Sequence, residues 1–102
     1  MVRIAVLVSG GGTNLQALIN AQNNGILTSG KIVEVISSRS DAYALVRAEE
    51  AGILGCVCTT EKRILDELKK CKAELVVLAG YMHILSKEFI DTCGVPIVNI
   101  HP

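Results

Sequence analysis

Val2-Arg3-Ile4-Ala5-Val6-Leu7-Val8, running directly into Ser9-Gly10-Gly11-Gly12-Thr13-Asn14, decides the fold. The first stretch is apolar at both parities and broken only by Arg3, the pattern of a strand covered on both faces. Three glycines then turn the chain. From Asn14 to Asn23 the apolar spacing changes, and Leu15, Leu18 and Ile19 fall on one face of a helix. Thr13 and Gln16 have the spacing of a capping box, and Gly25 is a fitting stop. Strand, glycine turn and helix form the opening unit of a parallel α/β sheet.

The same alternation continues to the end of the chain. Strands are expected over Lys31–Ser37, about Leu54–Thr59 and Leu75–Ala79, the last reading as the most buried. Helices are expected over Asp41–Ala51, capped by Ser40 or Asp41 and ended by Gly52, and over Glu61–Cys71. A brief helix begun by Ser86 leads to a final strand, Val95-Pro96-Ile97-Val98, that ends in Asn99 and His101. The expectation is one Rossmann-like open parallel sheet with flanking helices, a single domain over residues 1–102, incomplete at its carboxyl end. Right-handed crossovers gather the strand ends on one edge.

Composition agrees. Half of the 102 residues are hydrophobic, only three are aromatic and none is Trp, so Val, Ile, Leu and Ala must build the core. A mean hydropathy of +0.44 is high for so small a soluble body, and points either to an unusually apolar surface or to a face meant to be covered by further chain or by a partner, the further chain being the favoured expectation. Ten basic and ten acidic residues cancel without a basic stripe, which argues against a nucleic-acid partner. The apolar runs are strand-sized, too short to span a membrane, and the first is followed by a glycine turn instead of a cleavage site. A cytoplasmic location is expected. Cys56, Cys58, Cys71 and Cys93 lack C-x-x-C or paired-ligand spacing, so they read as small buried hydrophobes, and no metal is expected.

Three strand ends carry chemistry. At the first, glycines let a backbone approach a ligand, and the helix start that follows offers unpaired N–H groups; this is a phosphate cradle in principle, though such a turn also serves as a tight connection. It is not a dinucleotide fingerprint, because Leu15 stands where the third glycine belongs and Ser37-Ser38-Arg39, with no acid, ends the second strand. It also lacks the lysine of a Walker-type loop. At the second end, Gly80-Tyr81-Met82-His83-Ile84-Leu85 is an apolar loop suited to a flat heteroaromatic ring or, equally, to plugging the core. At the third, Asn99 and His101 share a face opposite Ile100, an amide and an imidazole where open α/β sheets bind ligands.

Together, Ser9 to Ala17, Val77 to Leu85 and Val98 to Pro102 resemble the phosphoribosylglycinamide formyltransferases, the folate-dependent transformylases of purine synthesis. The resemblance runs through the whole chain in order and spacing, over about the amino-terminal half of a family member. It implies that Gly11, Gly12, Thr13 and Asn14 hold the phosphate of glycinamide ribonucleotide. It implies that Met82, His83, Ile84 and Leu85, with Asn99, line the pocket for the pterin-like ring of the cosubstrate 10-formyltetrahydrofolate. Asn99 and His101 would be two of three catalytic residues, the third being an aspartate beyond the N-x-H-P motif, and no metal is involved. His83 stands where the family often has Arg. Thr60 to Leu65 is shorter than the usual segment, and Arg63 falls near a ligand-contacting arginine.

Without that aspartate His101 is a poorer acid, so the 102 residues alone are expected to transfer formyl groups negligibly. Other readings are a formyltetrahydrofolate hydrolase, against which the phosphate turn argues, or a non-catalytic phosphate-binding remnant should the polypeptide end at Pro102. Methionyl-tRNA formyltransferase fits less well, because its first-loop pattern is absent. Pairing of two chains along the open final strand into a homodimer is a further expectation.

Overall fold

The computed structural model describes residues 1–100. Nine elements alternate: β1 (Val2–Val8), α1 (Thr13–Asn23), β2 (Gly30–Ser37), α2 (Tyr43–Glu50), β3 (Leu54–Val57), α3 (Glu61–Lys70), β4 (Leu75–Ala79), α4 (Lys87–Cys93) and β5 (Ile97–Ile100). The strands form one parallel sheet in the order β3-β2-β1-β4-β5. The predicted α/β class therefore holds.

The sheet separates two cores, as strand alternation requires. On one face Ile4, Val6, Val8 and Val77 pack under α1 and α2 through Leu15, Ile19, Ala44 and Ala48. On the other, Ala5, Leu7, Ile36 and Val76 meet α3 and α4 through Ile64, Leu68 and Phe89. β1 lies in the middle of both layers, and its last five residues are buried. β1 and β2, and not the expected Leu75–Ala79, are the most buried strands: Leu75 and Leu78 of β4 are only partly covered, because β4 has just the short edge strand β5 on its far side.

Two expected caps do not form. Gly12 is the N-cap of α1, with a left-handed backbone (φ 81°), and no side chain caps the helix. Gln16 instead bonds along the helix to Asn20 and receives a hydrogen bond from Arg47, so no capping box closes. At α2 the N-cap is Ala42, also without a side-chain bond. Asp41 is held by the Arg39 guanidinium in a bidentate pair at 2.9 and 3.0 Å, which takes its carboxylate away from the helix start. By contrast Ser86 caps α4 as expected, its Oγ accepting from the Phe89 N–H. Among the described residues no helix is long and apolar enough to cross a membrane.

Candidate functional site at the carboxyl ends of the strands

From β1 the chain moves outward to β2 and β3, then returns to the other side of β1 for β4 and β5. The connections leaving β1 and β4 therefore diverge and open a crevice at their carboxyl ends, where open α/β sheets take ligands. Gly10 to Asn14 meets Ala79, Gly80 and Met82 there around a cavity of about 240 Å³. Ser9, almost wholly buried, ties the crevice floor together. Its Oγ shares a 2.7 Å hydrogen bond with the Ser38 hydroxyl and accepts from the Met82 N–H at 2.9 Å.

The three glycines of the turn have different reasons to be glycine. A Cβ on Gly12 would lie 2.8 Å from the Cβ and 2.9 Å from the Cα of Ala44, and its φ is left-handed, so packing against α2 excludes a side chain. A Cβ on Gly10 or Gly11 would meet nothing within 4 Å. These two face open space, where a ligand can approach the backbone. The uncapped start of α1 leaves first-turn N–H groups without helical acceptors beside Thr13 and Asn14.

Sequence reasoning missed Arg47 of α2. Its Nε donates to the Gly11 carbonyl at 2.7 Å, a guanidinium N–H reaches Gln16 at 3.2 Å, and its charge lies 5.1 Å over the Tyr43 ring. A fixed cation thus supports the turn. The available signal was topological: α2 follows the strand beside β1, so a basic residue on its inner flank can reach the first loop.

The second half of the crevice is wider and more apolar. Leu78, His83, Ile84, Leu85, Ile97 and Asn99 are among the residues around a cavity of about 570 Å³. Asn99 is paired in register with Leu78, is exposed, and projects opposite Ile100, which packs on the α1/α2 core. A smaller cavity of about 290 Å³ lies behind the loop, between Tyr81, His83, Leu85 and Glu61. Glu61 anchors its rim by accepting from the Ser86 hydroxyl at 2.6 Å and the Ser86 N–H at 2.8 Å, bonds that hold its carboxyl below the usual range. Burial pushes the Tyr81 phenol up, so it stays protonated; the Tyr81 and His83 rings lie 5.4 Å apart.

The structure thus gathers Gly11, Gly12, Thr13 and Asn14 around one cavity, and His83, Ile84, Leu85 and Asn99 around the other. Met82 lines the glycine-turn cavity instead of the apolar one. Arg63 is exposed on α3 and lines neither. His101 lies outside the described residues.

The sequence profile of the Formyl transferase family matches residues 2–102. The chain belongs to that family. Phosphoribosylglycinamide formyltransferase of Haemophilus influenzae is 43% identical, the match covering 100% of this chain and 52% of that protein. The enzyme of the same name from Schizosaccharomyces pombe is 36% identical over 97% of this chain and 58% of its own. Among solved structures, glycinamide ribonucleotide transformylase 1 of Symbiobacterium toebii superposes with a TM-score of 0.91 at 36% identity, covering 100% of this chain and 52% of the other. The chain therefore spans about half the length of the relatives it matches. The segments that carry the family resemblance follow β1 and begin within β4 and β5, strands that are neighbours in the sheet.

Proposed function

We propose that this chain provides the amino-terminal half of a phosphoribosylglycinamide formyltransferase, moving a formyl group from 10-formyltetrahydrofolate to the amine of glycinamide ribonucleotide. The observation that carries the reading is the pairing of the two cavities: a polar backbone turn backed by Arg47 beside an apolar trough with one amide, Asn99, on its rim. Gly10 and Gly11 leave room for a phosphate, and Thr13 and Asn14 add side-chain donors. His83, Ile84 and Leu85 offer an apolar wall and free backbone groups to a flat pterin-like ring.

The chemistry asks little else of the protein. The substrate amine attacks the formyl carbon, and the carbonyl oxygen takes up negative charge. Asn99 donates an amide N–H to that oxygen without changing its own charge. His101, in its protonated form, is assigned a second hydrogen bond and the proton delivered to the folate nitrogen as its bond to the formyl carbon breaks. The proton lost by the attacking amine restores the balance. A carboxylate later in the polypeptide, implied by the family resemblance, keeps the imidazole charged near neutrality. No metal takes part in these steps, both substrates are small molecules, and the cytoplasm is the compartment of the reaction.

The test is an assay of the purified full-length protein with both substrates. Formylated ribonucleotide and tetrahydrofolate should appear in equal amounts, and only when the ribonucleotide is present. Release of formate at the same rate without it would replace this reading with the hydrolase.

A further inference from the structure

Away from the crevice, β2 buries an acid. Glu34 is 1% exposed, and among the described residues no lysine or arginine forms an ion pair with it. A buried carboxyl without a cationic partner is costly, and is retained where other groups answer it. The backbone goes out of its way to aim it. Ile4 pairs with Ile32 and Ala5 with Glu34, so Val33 is an extra residue in the ladder. Without that bulge Glu34 would share the face of Ile32, under α1 and α2; with it, Glu34 joins Ile36 on the face of α3.

Two further elements converge on it there. The Cys56 thiol of β3 donates to a Glu34 carboxylate oxygen at 3.0 Å, and Glu67 of α3 completes a group whose ligand atoms all lie within 4.8 Å of one another. The Sγ atoms of Cys56 and the buried Cys58 are 3.8 Å apart. Two thiolates on one tetrahedral zinc, each bonded at about 2.3 Å, stand about 3.8 Å apart, and a thiolate and a carboxylate oxygen about 3.5 Å.

We propose that Glu34, Cys56 and Glu67 form a site for one thiophilic divalent cation of the zinc class, with Cys58 beside the fourth position. The Glu34, Cys56 and Glu67 ligand atoms, within 4.8 Å of one another, already stand near the spacing of a tetrahedral donor set. Sulfur in the donor set favours zinc over magnesium or calcium. The ion has a way in, because Cys56 and Glu67 are only half-buried. Glu67 has one competitor, an exposed Lys70 at 3.5 Å. Binding requires the Cys56 thiol, and any carboxyl proton in the group, to pass to solvent, so protons are released as the metal enters. The ion would clamp the four-residue edge strand β3 to β2 and α3, a structural role separate from formyl transfer. Sequence spacing could not reveal the site, because its ligands come from three elements and not from one motif.

The experiment strips the purified full-length protein with a chelator, titrates it with Co²⁺ as a spectroscopic probe, and then competes with Zn²⁺. One ion per chain is expected, with a thiolate-to-cobalt charge-transfer band, proton release, and a melting temperature raised by Zn²⁺. Cys56→Ser should weaken binding and cut the band at least to what Cys58 alone supplies, and Glu34→Gln should weaken binding by about tenfold or more. Cys93→Ser, in α4, should change neither. Glu34→Gln keeps the size and hydrogen bonding of the protonated acid, so it remains informative if Cys56→Ser fails to fold. Binding no tighter than millimolar, or binding that survives both Glu34→Gln and Cys56→Ser, would overturn the site, as would a band that vanishes with Cys93→Ser.

Discussion

The two halves of the crevice are built in opposite ways. The glycine turn is closed on itself: Gly12 is pressed against Ala44, Arg47 holds the Gly11 carbonyl, and Ser9 pins the Met82 backbone. The trough beyond β4 is an open apolar wall. Ile84 is 98% exposed and Ile90 53%. The turn therefore has a shape before any ligand arrives, whereas the trough has a chemistry still to be enclosed. Substitutions in the turn should register in stability and in affinity for phosphate. Substitutions in the trough should register in the chemical step.

The sharpest way to break that contrast is Asn99→Ala in the full-length enzyme. Loss of one oxyanion donor should lower kcat by about 10²–10³, or roughly 3–4 kcal/mol of barrier, with the melting temperature unchanged because the side chain is exposed. Steady-state kinetics beside a thermal melt would check it; a fall in stability with kcat preserved would reverse the two roles. Next in size is the pair Gly12→Ala and Gly11→Ala. The first forces a Cβ into Ala44 in a left-handed conformation and should cost about 2–4 kcal/mol of folding stability. The second meets open space, so denaturant unfolding should be nearly unaffected while the KM for the phosphorylated substrate rises. Equal costs for both would mean that the turn is a connection and not a cradle.

Much of this was legible in sequence because the deciding signals are local. Apolar runs, glycine stops and the 2-to-3.6 change of period place all nine elements, and Ser86 announces its helix. What failed had a competitor elsewhere in the fold. Thr13 and Gln16 have capping-box spacing, but Arg47, 31 residues from Gln16, takes up the Gln16 carbonyl. Asp41 is drawn off by Arg39. The burial of Glu34 could not be read at all, since one bulge reverses the face of everything after it. In the site, the contiguous residues of the turn stay together, whereas Met82 parts from Ile84 because its N–H is claimed by Ser9 across 73 residues.

Arg47→Ala tests how far the turn depends on its support. Two side-chain hydrogen bonds and a stacked cation are lost from a partly exposed position, so about 1–2 kcal/mol of stability is expected to go. The KM for the phosphorylated substrate should rise by about tenfold with kcat little altered. Arg47→Lys keeps the charge but not the fork, and should recover only part of the affinity. Full recovery by lysine would show that the turn needs a charge nearby and not a brace.

The smallest effect belongs to the rim of the smaller cavity behind the loop, where Ser86 both caps α4 and donates to Glu61 at the start of α3. Ser86→Ala should cost about 1 kcal/mol, the usual worth of an N-cap. Glu61 adds a pH signature. Its folded carboxyl is held below the ordinary value of 4.5 by the Ser86 hydroxyl and N–H, so its contribution is complete above that value and is lost as pH falls through the lowered one. Glu61→Gln should thus narrow its stability deficit against the parent as pH drops below 4.5, and Ser86→Ala should remove most of the same dependence. Melting curves from pH 3 to 7 on the parent and both variants decide the matter. Parallel curves would mean that Glu61 does not couple α3 to α4, leaving the two helices held together by Phe89 and its apolar neighbours alone.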